Sequence, residues 1–175
     1  IREWKLAAQS GFEPARDLLT ASNVRASRKS SKNQSALAQE HFNRGLEYDR
    51  QGRLDKAIQE YKTALRINPN YAEAHVGLGW AYKQQGHLDE AIKEYETALR
   101  INPDYVLAHR NLGWAYGEKG RLDKTIRAFQ SALRVNPNDA GAHFGLGWAY
   151  GEQGRLDKAI SEYQTALRMN PNLDS

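Results

Sequence analysis

The sequence predicts an all-α protein built as a stack of helix pairs. Three observations carry that expectation. A 34-residue unit recurs at 38–71, 72–105, 106–139 and 140–173; apolar residues inside each unit fall three and four apart; and glycines and Asn-Pro steps interrupt the pattern at fixed places. Units that alike must fold and stack alike, and a stack offers a long surface rather than a deep pocket.

The first 37 residues stand outside the repeat. Short helices are expected over residues 2–9 and 15–21, separated by the break from Gly11 to Pro14, with Trp4, Leu6, Phe12, Leu18 and Leu19 as apolar groups. Residues 22–37 are Ser-rich and basic with almost nothing apolar to bury, and they read as a flexible linker. The segment as a whole is expected to cap repeat one or to exchange between subunits.

Each repeat then reads as two antiparallel helices. In repeat two His75, Leu78, Gly79 and Tyr82 form one stripe of a helix A. Gly86 breaks it, and Asp89 is expected to cap helix B, as are Asp55, Asp123 and Asp157 in the other repeats. Helix B buries Ala91, Tyr95 and Ala98 and stops at Asn102-Pro103, because proline cannot continue a helix. Small residues at Gly79, Ala91 and Ala98 let the two backbones approach closely.

These units resemble tetratricopeptide repeats. The family pattern Trp-x-x-Leu-Gly-x-x-Tyr, Ala-x-x-x-Phe, Ala and Pro stands here as His75, Leu78, Gly79, Tyr82, Ala91, Tyr95, Ala98 and Pro103. Repeat three matches through Leu112, Gly113, Tyr116, Phe129, Ala132 and Pro137, and repeat four through Leu146, Gly147, Tyr150, Ala159, Tyr163, Ala166 and Pro171. The resemblance implies a right-handed α-solenoid of four stacked helix-turn-helix repeats, preceded by a short non-repeat helical segment. Three places depart from the pattern: the first Trp is His41, His75, His109 and His143; Arg44 stands for Leu, as suits a repeat with one water-facing side; and Thr125 stands for Ala.

Composition narrows the chemistry. The 175 residues contain no cysteine, which removes disulfides, thiolate metal sites and cysteine nucleophiles. No apolar run is long enough to span a membrane and no signal peptide is visible, so the compartment stays open, with the cytoplasm as the default. The net charge of +4 arises from Arg25, Arg28, Lys29 and Lys32, in a stretch without acids; four charges give only salt-sensitive attraction, so nucleic acid is not the expected partner. The Asn33-Gln34-Ser35 sequon matters only in a secretory pathway. The histidine series reads as packing or hydrogen-bonded groups rather than a metal site, since neighbouring helices lie about 8–10 Å apart while zinc needs each nitrogen about 2 Å away. No catalytic motif is present. The expectation is a non-enzyme without cofactor or metal.

The functional signal is aromatic. Trp80, Trp114 and Trp148 follow the helix A glycine by one residue and lie about 100° round the helix from its packing stripe. The same second stripe carries Val76, Arg110 and Phe144 four residues earlier, Lys83 three later, and Phe42, Leu46 and Asp49 in repeat one. In the family that is resembled, helix A lines the concave groove. The expected partner-binding residues are therefore Phe42, Leu46, Val76, Trp80, Lys83, Arg110, Trp114, Phe144 and Trp148, and Trp114→Ala is expected to weaken binding while changing stability little. The competing reading packs each indole on its neighbour, with Gly77, Gly117, Gly145 and Gly151 making room. Relatives that clamp the C-terminal carboxylate of chaperones use Lys, Asn and Arg where this chain has Phe42, Leu46, Gly77, Leu107 and Asn111, so that ligand is disfavoured.

The sequence thus points to a scaffold or adaptor that binds a peptide or helix of a partner protein. The alternative is a self-assembling subunit. Little follows Asn172 to cap helix B of repeat four, so either the chain belongs to a longer array or another subunit covers that face; the charges of +1, −3, +3 and 0 on successive repeats also favour contact between copies.

Overall fold

The computed structural model describes residues 13–171, which are helix and turn, with no strand among the described residues. The order is α1 (Glu13–Arg50), α2 (Leu54–Ile67), α3 (Ala72–Gln84), α4 (Leu88–Ile101), α5 (Val106–Glu118), α6 (Leu122–Val135), α7 (Ala140–Glu152) and α8 (Leu156–Met169). Each helix packs on its sequence neighbours, and α1, α3, α5 and α7 also touch in succession, forming one wall of the stack.

Two kinds of turn produce this path. Between the helices of a repeat, Gly52, Gly86, Gly120 and Gly154 adopt φ of 69°, 79°, 68° and 72°, a left-handed conformation that costs other residues energy. The residue after each glycine donates its N–H to a carbonyl five residues back, as Arg53 does to Tyr48 at 2.9 Å, closing the helix end. Between repeats the Asn-Pro step does the work: Asn68 leaves the helix in an extended conformation, and its side-chain oxygen accepts from the Asn70 N–H at 3.2 Å.

The aspartates expected as N-caps are not caps. Because the glycine reverses the chain in a single residue, α2, α4, α6 and α8 begin two residues earlier than an aspartate cap would place them, at leucine. Arg53, His87, Arg121 and Arg155 take the cap position without a side-chain bond. Three of the displaced carboxylates instead tie one repeat to the next: Gln85 donates to Asp55 at 2.7 Å, Lys119 to Asp89, and Gln153 to Asp123 at 3.0 Å. The lysine holds the Asp89 carboxyl below the ordinary carboxylate range. Among the described residues Asp139 is the side-chain cap that forms, accepting from the Ala142 N–H at 2.9 Å.

The core runs along the stack as a row of aromatic rings. Tyr61, Tyr95 and Phe129 are fully buried, each lying across a glycine of its own helix A; a β-carbon on Gly79, for example, would come within 2.7 Å of Tyr95 Cε1. Burial of such a ring stabilises the fold by roughly 1.5–3 kcal/mol. Tyr61 and Phe129 also face a glycine of the following repeat, Gly77 and Gly145. One ring therefore joins two repeats.

The expected linker is corrected. Residues 22–37 continue α1 without a break. A segment can lack core residues and still be helical: Ala, Arg, Lys and Gln are good helix formers, and the packed turns of repeat one supply the nucleus from which α1 extends. The described side chains from Thr20 to Leu37 are exposed, so this stretch does not cover repeat one. Residues 15–21 fall within α1, and the helix expected over residues 2–9 lies outside the described residues.

Candidate partner-binding groove

The wall formed by α1, α3 and α5 encloses an open groove of about 610 Å³. Five of the nine residues expected on the binding face line it: Phe42, Leu46, Val76, Trp80 and Arg110. Phe42 and Trp80 are half-buried and belong to the walls, whereas Val76, 4% exposed, is part of the core beneath. The Phe42 ring is anchored at 5.8 Å from Tyr61 and 5.1 Å from Tyr71, so the wall is held by ring contacts on two sides.

Sequence reasoning left out Tyr61, Glu73, Tyr105, Leu107 and Asn111 from this lining. Tyr61, the repeat-one counterpart of Tyr95, is fully buried and lies beneath the groove. Glu73 lies in the first turn of α3 and Tyr105 at the start of α5. Tyrosine recurs just after the Asn-Pro step at Tyr71 and Tyr105, which was the available signal, whereas Glu73 stands where the other repeats have Gln39, Leu107 and Gly141 and gave none.

The other four expected residues lie elsewhere. Lys83 Nζ is 2.7 Å from Glu118 Oε1, linking α3 to α5. Trp114, Phe144 and Trp148 form a ring cluster in repeats three and four. Trp114 meets Phe129 edge-on at 5.1 Å, Trp148 at 5.8 Å and Phe144 at 6.4 Å, and Phe144 lies 5.3 Å from Tyr163. Trp148 folds over Gly117, where a β-carbon would be 2.7 Å from its ring. The three tryptophans are thus not equivalent: Trp80 packs on the core of repeats one and two and flanks open space, while Trp114 and Trp148 press on other aromatic rings.

Charge on this face is tied down in pairs. Arg110 Nη1 lies 3.2 Å from the Asp139 carboxylate, which is almost completely buried. In repeat one the Tyr61 hydroxyl donates to Asp49 Oδ2, while Asp49 Oδ1 is buried without a hydrogen-bond partner. Burial pushes the Asp49 carboxyl above the ordinary range, and the tyrosine bond opposes that shift. Away from the groove, His41, His75 and His143 each place Nδ1 2.6 Å from a glutamate 19 residues on, Glu60, Glu94 and Glu162. His109 has Ala128 at that place and keeps the bond to the Pro103 carbonyl at 2.8 Å.

A family profile described as TPR repeat matches residues 45–86 and 79–120, and one described as tetratricopeptide repeat matches 110–174. No match was found among curated proteins. Among solved structures, the crystal structure of MamA is similar with a TM-score of 0.72 and 25% identity, over 97% of this chain and 95% of that one. TTC0263, a thermophilic TPR protein in Thermus thermophilus, gives 0.69 and 27% over 77% and 75%. The first TPR of Spaghetti (RPAP3), bound to the HSP90 peptide SRMEEVD, gives 0.67 and 22% over 69% and 95%, a likeness of fold alone.

Proposed function

Because the chain belongs to the tetratricopeptide-repeat family, whose fold is typically that of an interaction module, we propose that it is a non-enzymatic scaffold or adaptor seating a peptide or helix of a partner protein in the groove of α1, α3 and α5. The observation that carries this reading is the open groove itself, walled by the half-buried rings of Phe42 and Trp80 and edged by polar groups. Large rings held in place cost little entropy when a ligand arrives, and tryptophan is enriched at binding hot spots. That a domain of this fold can hold a peptide is seen in the Spaghetti complex; the ligand here differs, since this groove lacks the cationic clamp for a chaperone tail. Trp80→Ala should weaken a partner isolated on the wild-type protein by about 2 kcal/mol or more, measured by titration calorimetry. Unchanged affinity in a folded Trp80→Ala protein refutes the groove as the binding face.

One observation favours a second reading, assembly through the end of the stack. Ile58, Ile92 and Ile126 are 7–8% exposed beneath the following helix, whereas the equivalent Ile160 is 54% exposed and Leu156 64%. The opposite end is polar: Glu40, Arg44 and Glu47 stand where internal repeats have alanine, leucine and alanine. The two ends are therefore unlike, and association would join α8 to α8 rather than head to tail. Light scattering separates the readings: mass that rises with concentration and reverts in Ile160→Glu supports assembly, and a monomer throughout supports the adaptor.

A further inference from the structure

The charges lining the groove are unevenly matched. Each of its cations already has an acid within the chain: Arg50 lies 3.6 Å from Glu47, and Arg110 3.2 Å from Asp139; just beyond the lining, Lys83 is 2.7 Å from Glu118. Its two acids, Asp49 and Glu73, form no ion pair among the described residues. Asp49 is the more exacting of the two, because one of its oxygens is engaged by the Tyr61 hydroxyl and the other is buried and unbonded. A carboxylate withdrawn from water with half its acceptor capacity unused is costly, and a cation brought to it recovers that cost. The acid is confined to one end of the stack, since the equivalent places hold Lys83, Gly117 and Gly151.

We propose that the groove selects a basic segment: a Lys or Arg side chain whose methylenes lie along Phe42 and Trp80 and whose charged head pairs with Asp49, a second base meeting Glu73. Ring faces attract cations, and long basic side chains bury their stems on apolar walls while presenting the charge beyond. The chemistry is the reverse of a clamp for an acidic tail. This inference rests on the groove being the binding face.

Random dodecapeptides displayed on phage, selected against the immobilised full chain, test it. The enriched peptides are then synthesised with a fluorescein label and titrated by anisotropy against wild type, Asp49→Asn, Glu73→Gln and Trp80→Ala. Both carboxamide variants keep the shape of the side chain, so binding is read on a folded protein. The expected result is enrichment of Lys or Arg beside apolar residues. Replacing that base by Gln in the peptide, or Asp49 by Asn in the protein, should each weaken binding about tenfold, and the two together no further. Neutral or acidic winners, or basic ones indifferent to Asp49→Asn, overturn the charge selection; if they still depend on Trp80, the groove reading survives. No enriched peptide, or binding independent of Trp80, overturns both.

Discussion

Tyr61 and Tyr95 fill the same place in successive repeats and both are fully buried, yet Tyr→Phe should change stability in opposite directions at the two sites. The Tyr61 hydroxyl donates to Asp49, whereas the Tyr95 hydroxyl has no partner. The difference traces to one substitution between repeats: the place of Asp49 is taken in repeat two by Lys83, whose ammonium is committed to Glu118. Burial keeps the Tyr95 hydroxyl protonated far above the ordinary phenol range, so it stays a polar group sealed among apolar neighbours. Leaving such a group unbonded costs roughly 1–3 kcal/mol. Tyr95→Phe removes the hydroxyl and keeps the ring, and Phe129 shows that phenylalanine fits the equivalent site. A gain of about 1 kcal/mol is expected. Tyr61→Phe instead strips Asp49 of its one bonded oxygen; hydrogen bonds to charged groups contribute about 1.5–3 kcal/mol, so a loss of about 2 kcal/mol is expected. Urea unfolding followed by far-UV circular dichroism measures both, with equal denaturant slopes showing that the compared states are the same. A loss of 1 kcal/mol or more in Tyr95→Phe (~1, the size of one net hydrogen bond) would show that its hydroxyl is bonded in solution and refute the reasoning.

Three further outcomes are expected. Gly145→Ala should destabilise by about 1–3 kcal/mol, because its β-carbon would overlap the fully buried Phe129 ring; Gly151→Ala, whose nearest atom would be 3.9 Å away, should raise the melting temperature through about 0.5–1 kcal/mol of backbone entropy. If the two behave alike in thermal unfolding, the close ring-on-glycine packing is wrong. Asp49 has a folded pKa raised above its ordinary 3.8, so its contribution to stability is fully present below that value and is lost as pH rises through the folded value. Asp49→Asn should accordingly be more stable than wild type near neutrality, and the gap should close below about pH 4; a gap that widens in acid would mean that the carboxylate is well paired. Trp114→Ala should cost stability at the lower end of about 3–5 kcal/mol, since the half-buried ring packs edge-on against Phe129. Wild-type denaturation in that variant would remove the ring from the packing and return it to the binding face alone.

The repeat, the helix pairs and the family were legible from residue order. They depend on local and periodic properties: proline ends a helix wherever it stands, glycine permits the left-handed turn at residues such as Gly86, and apolar residues at three and four must share a face. Repetition multiplied each weak signal fourfold. The second stripe was legible for the same reason, and it led to Phe42, Leu46, Trp80 and Arg110.

Tertiary structure decided what recurring sequence leaves open. Trp80, Trp114 and Trp148 are identical in helical position, but what each ring meets is set by the neighbouring repeat: Tyr105 and Leu107 stand near the first across open space, while Phe129 and Phe144 press on the second. The aspartates after each glycine turn looked like caps because the start of a helix is uncertain by a residue or two in sequence, and a shift of two residues redirects a carboxylate to the next repeat. The free acid of the groove was likewise decided in three dimensions. Whether Asp49 is paired depends on Tyr61, 12 residues on in the facing helix, and on cations already taken by other acids: Arg50 by Glu47 of the same helix, Lys83 and Arg110 by acids further along the chain. Periodicity fixes which side of a rod a residue occupies; only packing determines which partner it finds there.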